Sequence, residues 1–518
     1  MLHRRHRGNR IIGPATRYLG CWLLPIVAFT AMGWAQGASN AERRTTRQFE
    51  SVRRQPSLLL DFLRQMPKGG DLHNHLTGAV YAESFIRWAA QDGLCVDRET
   101  AALAPPPCDP EKNKPAAATA YQDVGLYAHM LDAYSMRGWL PARESGHDHF
   151  FATFGKFGAA TNGHYADMLA EVRSRAAGDH LEYLELMFNP DGGKAATLGA
   201  RLGWNDDLGK LRNALLSGGL RDIVAEASRG LDQIEAAEQH ELRCGAPDAD
   251  PGCAVEARYL YQVARGLPRE LVFAQILAGF EMASKDSRVV GLNLVMAEDW
   301  YVPIHDFNLH MRMLDFLREL YPKVHITLHA GELTLQIAPP EELFHIRASI
   351  ERGHAQRIGH GVDVMYEHDP VGLLRKMAKE KILVEICLTS NDSILGVSGA
   401  RHPLPVYMRH GVPVALATDD AGVSRSTMTE EYRRAVETYG LTYPQLKKMA
   451  RASLEYSFLP GPSLWANFDN LKRVGICAGG AGKAKNQSSG CAQLLSTSDK
   501  AKAQWQLEKA FADFESRF

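Results

Sequence analysis

The chain has 518 residues, 45% of them apolar and 23% charged, an ordinary globular composition long enough for one large domain or two smaller ones. Its formal net charge is −1, yet the first 35 residues carry five arginines and no acid, which leaves 54 basic residues against 60 acidic ones in the remainder. That balance argues against nucleic acid or an anionic membrane surface as a partner.

The N-terminus reads as an export signal over residues 1–35. A basic region with Arg4, Arg5, Arg7, Arg10 and Arg17 precedes an apolar run over 21–34, and Gly33-Trp34-Ala35 offers a small-residue cleavage site, so the mature chain would start near Gln36. The run is about 14 residues against the roughly 20 that a spanning helix needs, which favours cleavage over retention as an anchor. Cysteine usage points the same way. Cys95 with Cys108, Cys244 with Cys253, and Cys477 with Cys491 would each close a short loop, as suits an oxidising compartment such as the periplasm or the extracellular space. Cys387 is left over and reads as a buried free thiol.

Residues 36–518 read as a single domain. Residues 38–66 look helical and polar, closing on the apolar Leu58-Leu59-Leu60 and Phe62. A first strand follows, and its His73 and His75, at i and i+2, share one face. Residues 92–120, with Pro105-Pro106-Pro107 and an alanine-rich tail, read as a surface insertion; 236–257 and 476–497 read as two more. Helical periodicity runs through 121–136 and 147–175. Thereafter short apolar runs alternate with helical stretches: 181–188, 258–263 with 271–274 taken as one strand and its loop, 289–295, 324–328, 357–360, 382–387 and 412–417. With the first strand this makes eight strand-plus-helix units and predicts an α/β fold, a (β/α)8 TIM-type barrel. A doubly wound open sheet is disfavoured because no glycine-rich phosphate loop follows the first strand.

Polar residues gather where such a barrel does its chemistry, at the carboxyl ends of the strands. Those ends read His73-Asn74-His75, Glu298-Asp299, His329-Ala330-Gly331-Glu332, His360-Gly361, Thr389-Ser390-Asn391 and Thr418-Asp419-Asp420. His73, His75, His329 and an aspartate would give a divalent ion three nitrogens and one oxygen, with a position left for water, as in catalytic zinc sites. Glu332, three residues past His329, is placed to give a proton to a substrate, and His360 to orient or deprotonate the water. Asp419 and Asp420 are adjacent and point different ways, so one can bind metal while the other faces substrate.

These residues carry a resemblance. The set Met66-Pro67-Lys68, His73-Asn74-His75-Leu76-Thr77-Gly78, His329-Ala330-Gly331-Glu332, Arg357-Ile358-Gly359-His360-Gly361, Thr389-Ser390-Asn391, His402-Pro403 and Thr418-Asp419-Asp420 resembles the adenosine deaminase family. Thr429-Glu430-Glu431-Tyr432 and Ser453-Leu454-Glu455-Tyr456 match further on, so the resemblance spans about residues 66–460. The signal and the form of Asn293-Leu294-Val295-Met296-Ala297-Glu298-Asp299 are most similar to the secreted, growth-factor-related branch. The resemblance implies hydrolytic deamination of adenosine or 2'-deoxyadenosine to inosine or deoxyinosine and ammonia by a zinc-bound hydroxide, with one Zn2+ per chain. It implies His73, His75, His329 and Asp419 as metal ligands and Glu332 as the acid that protonates the purine ring nitrogen beside the reacting carbon. His360 would assist the hydroxide, and Asp420 would hydrogen-bond the imidazole side of the purine.

Three departures from the family pattern stand out. Met296 stands where the family usually has a glycine that approaches the purine, and Thr77 replaces an acidic or amide residue near the ribose. Leu388 and Ala421 occupy places where proline is frequent. The last pair reads as backbone changes only, whereas Met296 and Thr77 motivate a second expectation, deamination of another 6-aminopurine such as adenine, AMP or an N6-substituted adenosine. A third is a catalytically inactive nucleoside-binding signalling protein, which the intact Glu332 and ligand set disfavour. The expected partner is a small purine nucleoside, with no nucleic acid and no stable membrane association after signal cleavage.

Overall fold

The computed structural model describes residues 39–478 and 488–518; the expected export signal lies outside the described residues. Eight strands run parallel in chain order: β1 Gly69–His75, β2 Leu181–Phe188, β3 Glu256–Ala264, β4 Val289–Val295, β5 His325–Ala330, β6 Arg357–His360, β7 Leu383–Ile386 and β8 Val414–Leu416. Helices between them cover the outside, so the strands are buried on both faces; all seven residues of β4 are buried. The last strand returns to the first: His75 N donates to Asp419 O at 3.3 Å and Asp419 N to His73 O at 2.8 Å, so the sheet closes as a barrel.

The segment 271–274, read above as part of a strand, lies inside the helix Arg269–Ala283. Eleven consecutive residues of that helix, from Val272 to Met282, are buried. A helix wrapped on all sides has no polar face to reveal a 3.6-residue period, so Leu271-Val272-Phe273-Ala274 imitates a short buried strand. The helical stretch 147–175 is two helices, Gly146–Phe157 and Tyr165–Gly178. Ser145 starts the first by accepting the Asp148 N–H at 2.9 Å, one of the donors a helix start leaves unpaired.

The three expected cysteine pairs are bonded, with Cα atoms 5.2, 5.5 and 5.0 Å apart, and Cys387 is a buried free thiol. Closing loops of this length contributes about 3 kcal/mol each in the chain-entropy account. The insertion 92–120 is not purely superficial. It holds a two-stranded hairpin, Cys95–Val96 with Leu103–Ala104, whose Val96 and Ala101 are fully buried.

Glu182 on β2 has a side-chain oxygen buried without a partner, and burial pushes its carboxyl up to about 8 from 4.5. The unfolded chain releases this proton near pH 4.5 and the folded chain near pH 8, so between those values the unfolded state binds fewer protons and stability falls as pH rises. Glu182→Gln removes the group. The melting temperature of the variant relative to the parent is therefore expected to climb from pH 5 to pH 8 and level off above, as thermal melts across that range would read.

Candidate metal centre and active site

His73 and His75 leave β1 on one face, and both rings reach His329 at the end of β5. The His329 Nε2 lies 3.0 Å from His73 Nε2 and 3.2 Å from His75 Nε2. Asp419, brought beside β1 by barrel closure, places Oδ1 3.6 Å from His73 Nε2 and 3.4 Å from His75 Nε2. All four groups are buried or nearly so.

The other nitrogen of each ring is already engaged. His73 Nδ1 faces Glu385 Oε2 at 2.7 Å, His75 Nδ1 faces Gln262 Oε1 at 3.1 Å, and His329 Nδ1 faces Asn293 Oδ1 at 2.9 Å. Asn293 Oδ1 also accepts the His329 backbone N–H, so it is an acceptor. With each Nδ1–H donated outward, the three Nε2 atoms turn lone pairs toward one another beside a carboxylate. Such a cluster calls for positive charge at its centre, and three nitrogens with one oxygen fit zinc.

The electrostatics agree. Burial lowers the pKa of His75 to about 4 and that of His329 well below the usual value, so both are neutral ligands. Burial would lower His73 too, but Asp419 and Glu385 outweigh it and hold the group up to about 10, so with no ion bound its ring keeps a second proton on Nε2, the proton that a metal would displace to gain its ligand. Burial opposes the charge on Asp419, yet hydrogen bonding to His73 and the surrounding imidazoles keep it well below the ordinary carboxylate range. A second grouping, His73, His360, Cys387 and Asp419, shares two members with the first. Burial drives the Cys387 thiol well above its usual pKa, which keeps it protonated and a poor ligand.

His360 is set by a relay that starts on the backbone. Leu404 N donates to His402 Nδ1 at 3.1 Å, so His402 carries its proton on Nε2 and donates to Asn391 Oδ1 at 3.0 Å. The Asn391 amide then donates to His360 Nδ1 at 3.0 Å. Burial lowers the His360 pKa to about 3, so the ring is neutral with its one proton on Nε2, 3.9 Å from Asp419 Oδ2. That oxygen accepts the Ser390 hydroxyl at 2.6 Å.

The acid candidates face the same cavity of about 250 Å3. Its floor is His75, His329, Glu332, Asp419 and Asp420; Thr77, Gln262, Val295 and Met296 lie alongside; Phe150, Phe151, Phe154, Trp300 and Ile394 form an apolar wall. No lysine or arginine is among these lining residues. Burial, then the charge of Asp419, raises both Glu332 and Asp420 well above the carboxylate range. Glu332 Oε1 and Asp420 Oδ1 are buried without a partner. Gly78 is required here: a Cβ on it would fall 1.4 Å from Asp420 Oδ1.

Every residue singled out from sequence is thus at one rim: His73, His75, His329, Asp419, Glu332, His360, Asp420, Met296 and Thr77. Of the supporting groups, Arg357 and Asn293 stood in the quoted motifs without a role, and Gln262 and Glu385 were not singled out. Arg357, 1% exposed, bonds Glu385 at 2.6 Å and Glu185 at 2.5 Å and so holds the carboxylate that orients His73. Gln262, Asn293 and Glu385 had one available signal, a polar residue inside an otherwise apolar strand. Glu385→Gln keeps the volume but removes the charge opposite His73. Metal affinity is expected to fall about 10- to 100-fold, as measured by competition with a chelating dye on folded protein.

A family model described as adenosine deaminase matches residues 159–472, more than half of the chain. The adenosine deaminase of Escherichia coli strain SE11 is 36% identical over 136 residues, which is 26% of this chain and 38% of that protein. The match therefore spans well under half the length of the curated relative. Among solved structures, arabidopsis ADAL complexed with IMP superposes with a TM-score of 0.50 at 21% identity, covering 77% of this chain and 94% of the other. The apo N6-methyl-AMP deaminase from Arabidopsis thaliana gives a TM-score of 0.49 at 21% identity with the same coverage. At that identity the likeness speaks for the barrel, and the longer sequence match decides the family: the chain belongs to the adenosine deaminase family.

Proposed function

We propose that the protein is a zinc-dependent hydrolase that deaminates adenosine or 2'-deoxyadenosine, adding water and releasing ammonia to leave inosine or deoxyinosine. The observation that carries this reading is the convergence of three imidazole Nε2 atoms and Asp419 beside a buried, protonated Glu332 with an unpartnered oxygen. His73, His75, His329 and Asp419 would hold the ion, which supplies Lewis-acid activation of water at neutral pH.

The remaining steps belong to the chain's own groups. Glu332, kept protonated by burial, donates to the ring nitrogen beside the reacting carbon, so negative charge does not accumulate on the purine as water adds. His360 offers an N–H toward Asp419, which suits it to orient the attacking water rather than to deprotonate it. Asp420, also protonated, donates a hydrogen bond to the acceptor nitrogen on the imidazole side of the base. Among the described residues only acids charge the cavity and no lysine or arginine lines it, which favours an uncharged nucleoside over a nucleotide such as AMP. Three disulfides and the basic-then-apolar N-terminal sequence support export.

Release of ammonia from adenosine, 2'-deoxyadenosine, adenine and AMP, and of the substituted amine from N6-substituted adenosines, tests the reading. Turnover of the two nucleosides is expected, chelation should abolish it and added zinc restore it; turnover of AMP or adenine alone would replace the substrate, and tight binding without turnover would replace the activity. Glu332→Gln is expected to keep its metal and lose on the order of 10²- to 10⁴-fold in kcat. Gly78→Ala displaces the Asp420 carboxyl and should raise KM about tenfold or more, since a buried hydrogen bond to substrate is lost.

A further inference from the structure

We propose that Glu298 is a positioning residue that aims the Glu332 side chain by gripping the backbone that carries it. The inference rests on the deaminase reading above. Glu332 must leave its carboxyl free to transfer a proton, and the structure shows this: Oε1 has no hydrogen-bond partner, and the nearest basic atom, His360 Nδ1, is 3.6 Å away and already accepts from Asn391. Among the described residues, no hydrogen bond at the tip of the side chain sets its direction. The direction must come from the main chain.

Glu298, 1% exposed on the loop after β4, supplies it. Its Oε1 accepts the Gly331 N–H at 3.1 Å and its Oε2 accepts the Glu332 N–H at 2.8 Å, so one carboxylate spans two consecutive amides. The turn it holds is sharp. Gly331 has φ of 73°, and a Cβ there would fall 2.4 Å from Asp363 Oδ1. His345 Nδ1, 2.6 Å from Oε1, fixes the carboxylate from the far side, its ring stacked on Phe307 at 3.6 Å. Arg265, also 1% exposed, donates to His329 O at 3.1 Å and Met296 O at 3.3 Å, and its guanidinium lies 4.0 Å from Glu298 Oε2. The ends of β3, β4 and β5 are thereby tied around the turn that runs from the ligand His329 to the acid Glu332. Charge-assisted bonds to backbone N–H groups are strong enough to fix a turn in one orientation.

The test is a double-mutant cycle with a second, activity-independent readout. Glu298→Gln is nearly isosteric but presents an amide N–H to one of the two backbone donors. It is expected to lower kcat about tenfold or more while KM stays within about threefold and metal content matches the parent. In a Glu332→Gln background the same change should cost less than about twofold, because the group it aims is gone. Hydrogen exchange of the peptide covering Gly331 and Glu332 should quicken in Glu298→Gln. An unchanged kcat, or an equal loss in both backgrounds, overturns the proposal. Should Glu298→Gln not fold, His345→Phe keeps the stacking on Phe307 and removes only the support of Glu298. It is expected to lower kcat less, with KM kept and exchange faster; unchanged kcat and exchange overturn the proposal as well. A parent protein that deaminates nothing refutes the deaminase reading, whereas a parent that turns over and a Glu298→Gln variant of parental kcat refutes this inference alone.

Discussion

Four atoms able to ligate a metal, three imidazole nitrogens and one carboxylate oxygen, crowd within 4.8 Å of one another at the rim of this barrel. Taking these groups out of water is costly, so the fold must hold them together by other means. The means is barrel closure. Asp419 exchanges backbone hydrogen bonds with His73 and His75, so the contact that seals the last strand to the first also delivers the carboxylate to the imidazoles. Fold and site share the same hydrogen bonds, and damage to one is damage to the other.

Behind the ligands lies a second layer that is unusually charged for a barrel interior. Arg357 sits between Glu185 and Glu385, lies 3.8 Å from the centre of the Phe458 ring, and bonds the Tyr456 carbonyl. A buried ion pair is weak evidence for stability, since burying both charges costs about what their attraction returns. Its use here is directional: Glu385 needs a permanent charge opposite it to remain an acceptor for His73 Nδ1. The backbone is bent to the same end. Met296, His360 and Asp419 all have positive φ, at 85°, 68° and 58°, a conformation that costs a side-chain-bearing residue roughly 1–2 kcal/mol.

Environment divides the carboxyls into two working sets. Asp419, Glu385 and Glu298 face imidazoles, a guanidinium or backbone N–H groups and stay ionised. Glu332 and Asp420 face apolar surroundings and the charge of Asp419, and stay protonated. Acceptors thus hold the centre while donors face the cavity, which suits the proposed protonation of a purine.

The barrel was legible in the residues themselves, and the side chains read at its strand ends converge at one rim. Eight apolar runs at βα spacing imply a parallel sheet, and reactive side chains recur where such runs end. The reading slipped where a helix is buried on every side, because Leu271-Val272-Phe273-Ala274 has no solvent-facing position to betray its period. Which way each group points, and in which protonation state, lay beyond the linear order. That Glu385 supports His73, that His402 sets the tautomer of His360 through Asn391, and that Glu298 spans Gly331 and Glu332 all depend on contacts between residues 11 to 312 positions apart. Sequence periodicity records which face a side chain takes, but pKa and hydrogen-bond direction are set by neighbours that only the closed barrel assembles.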